Sequence, residues 1–100
     1  MPRTKRNKLE IYNDILWAIK RESVNGEVKP TRVQSLCNLA YDRMCKYLDE
    51  LEMREMISQE PLSITEKGRD FLGDYDRIRE FLRIIGSKYL DNPEGKIYGR

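Results

Sequence analysis

Apolar residues recur every three or four positions along most of the chain, which is the spacing of amphipathic helices. In residues 8–23 this spacing produces a single apolar stripe, made by Leu9, Tyr12, Ile15, Leu16 and Ile19. The pair Asn25-Gly26 follows, and such a pair suits the left-handed backbone that closes helices. The pattern therefore predicts a first helix over residues 8–23.

Two further helices are predicted close together, separated by the three residues 38–40. Thr31 is predicted to cap a short second helix over residues 32–37, with Gln34 completing a capping box. Residues 38–40 indicate a tight turn, because asparagine favours turns and caps. A third helix is predicted over residues 40–54, and its inward positions are Tyr41, Met44, Cys45, Leu48 and Leu51.

The pattern changes to partial alternation in residues 56–59 and 62–65, on either side of Glu60-Pro61, which predicts a small β-hairpin. Thr65 then begins a last helix of about 25 residues, or about 37 Å. Its apolar positions follow steps of 4, 3, 4, 3 and 4 residues, at Phe71, Tyr75, Ile78, Leu82, Ile85 and Tyr89. This heptad pattern is typical of a coiled coil.

The order of these elements is typical of a winged helix-turn-helix, with a long C-terminal helix added. The alternative is a generic helical bundle in which residues 56–65 are a loop. The short second helix and the tight turn after it favour the winged fold. We therefore predict a mainly helical fold with a small β wing. Its predicted parts are a basic flexible arm, a winged helix-turn-helix domain, a coiled-coil dimerisation helix and a flexible tail, over residues 1–8, 9–65, 66–90 and 91–100.

Motifs along the chain resemble those of archaeal winged helix-turn-helix regulators, whose usual pattern is A-N-L-S-Y, L, Y-L, L, G-L-I, an aromatic residue, I-T-x-K-G and F-L. The corresponding residues here are Leu36-Cys37-Asn38-Leu39-Ala40-Tyr41, Met44, Tyr47-Leu48, Leu51, Met56-Ile57, Ile64-Thr65-Glu66-Lys67-Gly68 and Phe71-Leu72. The resemblance covers about residues 8–90. It is closest to the branch whose long C-terminal helix forms an antiparallel coiled coil between two subunits.

This resemblance implies a small dimeric DNA-binding protein, either a transcription regulator or a chromatin-like architectural protein. The sequence departs from the family pattern at Ala40, where the family has serine, and at Glu55, where it has glycine. The wing is also short, with Glu60-Pro61 at its tip and no basic residue between Ile57 and Thr65. We therefore expect the wing to contribute least to DNA binding.

The third helix is predicted to be the recognition helix, because an α-helix fits the major groove and its N-terminal residues meet base edges. Arg43 and Lys46 are the main candidates for contacts to bases or phosphates, and Asp42 and Tyr47 are secondary candidates. The alternative is an ordinary solvated face, since nearby acidic residues nearly cancel the two basic charges.

Contacts to phosphate are predicted at two further places. The start of the second helix offers backbone N–H groups and the positive end of the helix dipole, with candidates Lys29, Thr31, Arg32 and Gln34. The N-terminal arm can add sequence-independent affinity through Arg3, Lys5, Arg6 and Lys8. The alternative for the arm is a solvated, disordered terminus.

Charge is concentrated at the N-terminus. The net charge is only +2, and residues 1–8 hold four of the 19 basic residues and none of the 17 acidic ones. A monomer with this charge is expected to bind DNA weakly, whereas a dimer carries the basic residues of the arm twice. The modest charge favours a regulator over an architectural protein. It also leaves open a protein-interaction module of the transcription machinery, a role that winged helices with acidic wings can take.

The long last helix is predicted to form a homodimer through Phe71, Tyr75, Ile78, Leu82, Ile85 and Tyr89. The alternative is that this stripe packs only on its own domain. The rest of the globular part is only about 65 residues, so a helix of this length extends past it and leaves apolar residues exposed. Periodicity alone is compatible with parallel and antiparallel pairs; the antiparallel arrangement is implied by the resemblance.

The composition disfavours catalysis and cofactors. The sequence has no histidine, no glycine-rich phosphate loop and no metal-ligand spacing, because Cys37 and Cys45 have seven residues between them. We expect no enzyme activity, no metal, no cofactor and no small-molecule ligand. No apolar run reaches the roughly 18 residues of a membrane span, and no export signal is recognisable. We therefore expect no membrane association and a cytoplasmic, nucleoid-associated protein.

Overall fold

A computed structural model describes residues 6–90, so the predicted arm residues Arg3 and Lys5 and the tail at 91–100 lie outside the described part. The two strands pair antiparallel, with Ile57 opposite Ile64. The chain forms the predicted winged helix-turn-helix with a long last helix. Its elements are α1 (Lys8–Ser23), α2 (Pro30–Cys37), α3 (Tyr41–Met53), β1 (Ile57–Gln59), β2 (Leu62–Ile64) and α4 (Glu66–Tyr89).

The core is built around α1, which packs against α2, α4 and β2. The apolar stripe predicted for this helix supplies much of the interior, except for Leu9, which is 53% exposed. Burying one such side chain stabilises the fold by about 1.5–3 kcal/mol. The largest side chains that are fully buried are Ile15, Leu16, Ile19, Met44, Leu51 and Val33.

A reciprocal cap begins α1 at the predicted residue. The Asn7 side chain accepts a hydrogen bond from the Glu10 backbone N–H at 2.8 Å, and the Glu10 carboxylate accepts one from the Asn7 N–H at 2.9 Å. Such a capping box satisfies two backbone donors that a helix start otherwise leaves unpaired. The sequence carries the signal, Asn7 followed three residues later by Glu10, although Asn7 lies in the segment predicted as a flexible arm.

The predicted start of α2 is wrong. The helix begins at Pro30, two residues earlier than expected, and Lys29 is the residue that precedes it, with no side-chain cap. Proline is well suited to the first helical position, because its fixed φ matches the helix and its missing N–H is not needed there. Thr31 and Gln34 therefore lie inside the helix, and the predicted capping box does not form.

The turn between α2 and α3 is confirmed. Asn38 adopts a left-handed backbone with φ of 55°, which asparagine tolerates better than most residues. Its N–H donates to the carbonyl oxygen of Gln34 at 2.9 Å. Ala40 precedes α3 without a side-chain cap, so the helix lacks the hydroxyl that serine would offer there.

The buried face of α3 differs from the prediction. Tyr41 is 55% exposed and Cys45 is only half-buried, although both were expected to face inward. Tyr47 is buried instead, at 8% exposed. Its ring packs edge-on against Tyr12 of α1, with 6.3 Å between ring centroids. The buried face of α3 therefore includes Tyr47, which packs on α1, in place of Tyr41 and Cys45.

Thr65 and Gly68 join the wing to α4. The Thr65 hydroxyl donates to the backbone carbonyl of Glu55 at 2.7 Å and accepts from the Gly68 N–H at 3.1 Å. A Cβ atom at Gly68 would lie 2.7 Å from Cγ1 of Ile64 and still closer to the backbone oxygen of Met56. Only glycine allows α4 to pack this closely on the wing.

We predict that Gly68→Ala lowers the free energy of unfolding by about 1–3 kcal/mol, because the added methyl group meets backbone that cannot move aside. Gly73→Ala is the matched control, since a Cβ at Gly73 meets nothing within 4 Å. The control should stabilise the protein by about 1 kcal/mol through helix propensity. Urea unfolding of both variants measures the difference, and equal effects would contradict the close packing at Gly68.

Candidate nucleic-acid interface

The exposed face of α3 changes charge along its length. Arg43 and Lys46 are exposed in the N-terminal half, next to Asp42, whereas Asp49 and Glu52 lie on the surface of the C-terminal half. In helix-turn-helix proteins the N-terminal residues of the recognition helix contact base edges. The half of α3 that a recognition helix would present to DNA is therefore the half that carries Arg43 and Lys46.

Arg43 is held in place by Tyr47, one turn further along α3. Its Nη2 atom donates to the Tyr47 hydroxyl at 3.2 Å, and its guanidinium carbon lies 5.7 Å from the centre of the Tyr47 ring. Stacking and hydrogen bonding restrict the side chain before any ligand binds, which reduces the entropy lost on binding. Because Tyr47 is buried, its side chain offers little surface for the predicted contact with DNA, and we expect it to act by positioning Arg43.

Lys46 lies one turn from Asp42 on the exposed face of α3. In the described part of the chain, no carboxylate oxygen lies within ion-pairing distance of its ammonium group. Its charge is therefore available to an external anion. Asp42 instead accepts a hydrogen bond from the backbone N–H of Arg43 at 2.9 Å, at the uncapped start of the helix.

The start of α2 leaves only part of the predicted phosphate-binding set available. Lys29 and Thr31 are exposed at the N-terminal end of the helix. Arg32 points toward Glu22 of α1, with both of its contacts at 3.4 Å, and the Glu22 side chain is largely buried. This ion pair offsets the charge of Arg32, so Arg32 links α2 to α1. Gln34 is half-buried within the helix.

Two residues of the predicted basic arm belong to the folded body. Nη1 of Arg6 donates to Oδ2 of Asp14 at 2.6 Å, and the Lys8 ammonium lies 3.4 Å from Oε1 of Glu50. The expectation that the arm extends to residue 8 is therefore wrong for these two residues. The reason is that helix α1 begins at Lys8, so that Arg6 reaches Asp14 of α1 and Lys8 reaches Glu50 of α3.

A buried tyrosine links α1 to α3. The Tyr12 hydroxyl donates to Oε1 of Glu50 at 2.7 Å. Burial, reinforced by this carboxylate, raises the pKa of Tyr12 to about 12. The same hydrogen bond, with help from Lys8, lowers the pKa of Glu50. The sequence signal for Tyr12 was only its place in the apolar stripe, so this polar link was not predicted.

The wing is anchored to the acidic half of α3. Nε2 of Gln59 donates to Oδ1 of Asp49 at 3.0 Å and to Oε1 of Glu52 at 2.8 Å. The hairpin contains no lysine or arginine. The wing therefore supplies no cation of its own, and its small contribution to DNA binding stays a prediction.

The sequence matches the winged helix-turn-helix family over residues 5–83. The chain belongs to the winged helix-turn-helix family. Domains of this family bind DNA, generally in regulatory roles, and the match supports DNA binding by this protein. A comparison with curated proteins finds no match.

Within residues 6–90 of this winged helix-turn-helix protein, no helix is long and apolar enough to cross a membrane. The same residues contain no group of three or more acidic, cysteine or histidine side chains arranged to hold a metal ion.

We predict that Tyr47→Phe weakens DNA binding about threefold while changing the free energy of unfolding by no more than about 1 kcal/mol. The ring and its packing on Tyr12 remain, but Arg43 loses its hydrogen-bond acceptor. Fluorescence anisotropy with labelled duplex DNA measures the affinity, and urea unfolding measures the stability. Affinity equal to that of the unchanged protein would reject the positioning role.

Proposed function

We propose that this protein is a homodimeric, sequence-preferring double-stranded DNA-binding protein that regulates transcription. The observation that carries the proposal is the N-terminal half of α3, where Arg43 is held over Tyr47 and Lys46 is exposed. The mechanism is binding without chemistry. Cations neutralise phosphates and supply affinity, while a few contacts to base edges supply preference.

Arg43 is the residue best suited to read a base. A guanidinium group can bind O6 and N7 of guanine through two hydrogen bonds, a contact worth about 1–3 kcal/mol of discrimination. Its hydrogen bond to Tyr47 restricts its orientation, which favours a contact of defined geometry over non-specific electrostatic attraction. Lys46, on the adjacent part of the face, suits a second base or a phosphate, and Lys29 and Thr31 suit phosphates at the start of α2.

The dimer is supported by the distal half of α4. The described chain measures 51 × 30 × 25 Å, because this helix extends beyond the body. Phe71 stacks on Tyr75 and packs against Tyr12, so the seam begins on its own domain. Further along, Ile78 and Leu82 are 57% and 60% exposed. An apolar stripe of this size usually marks an interface, and the proposed one consists of Phe71, Tyr75, Ile78, Leu82, Ile85 and Tyr89.

A regulator fits better than an architectural protein because the net charge is only +2 and a protein that coats DNA needs more. Such a regulator would act in the cytoplasm, on the nucleoid of an archaeal cell. A second candidate is a protein-interaction module, favoured by the acidic C-terminal half of α3, where Asp49 and Glu52 share the Gln59 amide. No catalytic step is part of either proposal.

The DNA proposal predicts that the double variant Arg43→Ala, Lys46→Ala binds duplex DNA at least about tenfold more weakly, since each lost contact is worth about 1 kcal/mol or more. Lys20→Ala with Arg21→Ala is the matched control, because it removes the same charge from exposed positions of α1. Gel-shift titration on random duplex DNA at rising salt measures both.

Equal losses of DNA affinity in the two variants would show that the contact with DNA does not depend on α3. Failure of the unchanged protein to bind at about 50 mM salt, where electrostatic binding is strong, would reject DNA binding and favour the protein-interaction module.

The dimer proposal predicts that Leu82→Glu converts the protein to a monomer, because a charge placed in an apolar seam lacks a partner and solvent. Ser87→Glu is the control, since Ser87 lies on the face of α4 opposite the seam. Sedimentation equilibrium measures the molecular mass of each variant. A Leu82→Glu protein that stays dimeric would show that the interface lies elsewhere.

A further inference from the structure

A surface cleft lies where three helices of the domain meet. Helix α1 packs against both α2 and α4, and the cleft between them has a volume of about 210 Å³. We call it the three-helix cleft. Drug-sized ligands occupy roughly 300–1,000 Å³, so this cleft suits a smaller molecule. The wall residues considered below are Asn13, Trp17, Ala18, Arg21, Leu36 and Arg79.

Helix α1 supplies one side of the cleft as a row of three residues. Asn13, Trp17 and Arg21 follow one another at four-residue spacing, which places them on the same face of the helix. Trp17 is 52% exposed, although tryptophan is on average a largely buried residue. Leu36 of α2 adds a second apolar side chain that is 40% exposed. The cleft therefore presents apolar surface that a ligand with an apolar body can cover.

Asn13 is a buried polar residue whose side chain has no partner in the fold. It is only 5% exposed, and its amide forms no hydrogen bond within residues 6–90. In the same part of the chain, every fully enclosed side-chain nitrogen or oxygen has a partner, so the Asn13 amide must reach the clefts that it lines. A buried amide without a hydrogen bond costs free energy. An external polar group would remove that cost.

The charge of the cleft favours an anion. Neither Arg21 nor Arg79 forms an ion pair within residues 6–90, and the guanidinium carbon of Arg79 lies 6.0 Å from the centre of the Tyr75 ring. Asp14 also lines the cleft, but its carboxylate accepts a hydrogen bond from Arg6 at 2.6 Å. The wall therefore carries an excess of positive charge. A guanidinium group matches a carboxylate well, because the two can form a pair of parallel hydrogen bonds.

We propose that the three-helix cleft binds a small organic carboxylate with an aromatic or other apolar body. Arg79 binds the carboxylate, the Asn13 amide supplies a further hydrogen bond, and Trp17 packs on the apolar body. A single negative charge suits the cleft better than a double one, because Asp14 lies in the same wall.

This inference goes beyond the proposed regulator and does not require that the protein bind DNA. The sequence gave no expectation of a small-molecule ligand, because the side chains of three separate helices form the cleft and no local motif brings them together. A ligand held by Arg79 of α4 and by Asn13 of α1 joins the long helix to the body. Ligand binding should therefore also stabilise the folded protein.

An acidic peptide segment is the main alternative ligand, since it can also offer carboxylates beside apolar side chains. Specific protein interfaces bury about 800 Å² on each partner, over a broad surface. The three-helix cleft is instead a confined site with one buried amide in its wall. These features favour the small molecule.

Trp17 makes the proposal directly testable, because it is the only tryptophan in the sequence and its fluorescence reports on this cleft. Titration of the full-length protein with phenylacetate should give a saturable change in that fluorescence. The expected dissociation constant is on the order of 1 mM or lower, as for a good ligand of about ten non-hydrogen atoms. Phenylacetamide lacks the charge and acetate lacks the ring, so each should bind at least about tenfold more weakly.

Variants test the assigned residues. Arg79→Gln should weaken phenylacetate binding about tenfold, because the carboxylate loses its charged partner. Arg77→Gln is the matched control on the same helix, since Arg77 pairs with Asp74 and does not line the cleft; it should change the affinity by less than about twofold. Asn13→Leu has nearly the same shape and should weaken binding about threefold or more. The same variant should raise the midpoint of urea unfolding, because it removes a buried amide without a partner.

The outcomes separate this proposal from the others. Absence of a saturable response to phenylacetate would overturn it, and equal losses in Arg79→Gln and Arg77→Gln would overturn it by showing non-specific anion binding. A lower unfolding midpoint in Asn13→Leu would show that the amide is needed by the fold itself. A short acidic, aromatic peptide that binds at least about tenfold more tightly than phenylacetate would assign the cleft to a protein partner instead. A protein that binds phenylacetate but no DNA would reject only the proposed regulator.

Discussion

Burial of one face of α1 is the interaction on which the rest of this structure depends. That face packs against α2, α4 and β2, and residues such as Ile15, Leu16 and Ile19 are completely enclosed. Polar contacts from the same helix then position its neighbours. Tyr12 reaches Glu50 on α3, and Glu22 holds α2 through Arg32. The hydrophobic effect assembles the domain, while these directed contacts orient the two helices of the helix-turn-helix.

Orientation matters for the proposed function because α3, the proposed recognition helix, carries few cations. Along α3 the basic residues are confined to the N-terminal half, and Asp49 and Glu52 of the other half are bound by the wing through Gln59. A helix with this distribution favours one end for an approach to DNA. The contact between Arg43 and Tyr47 fixes the orientation of one of the two cations of α3. In the proposed function, the position of a few cations therefore takes the part that a high positive charge would otherwise play in binding DNA. This agrees with the net charge of +2.

Because each domain carries little positive charge, dimer formation is important for the proposed binding to DNA. One domain offers a small cationic surface, and in the proposed dimer two domains would offer that surface twice. The helix contributes to both parts of the molecule. Its first turns complete the core, where Gly68 packs against the wing and Leu72 is buried, and its distal turns expose apolar residues. Phe71 and Tyr75 lie at the boundary between the core of the domain and the proposed interface, so the two are continuous.

The sequence alone determined the elements, because helical periodicity, the turn at Asn38 and the heptad spacing of α4 are local properties of the chain. It also indicated Arg43 and Lys46, since exposure on a helix follows from position. Only the tertiary structure decided which cations remain available. Lys8 of α1 and Arg32 of α2 are each paired with a carboxylate of another helix, Glu50 of α3 and Glu22 of α1. Periodicity describes one helix, whereas these pairings arise between helices, so no local pattern predicts them.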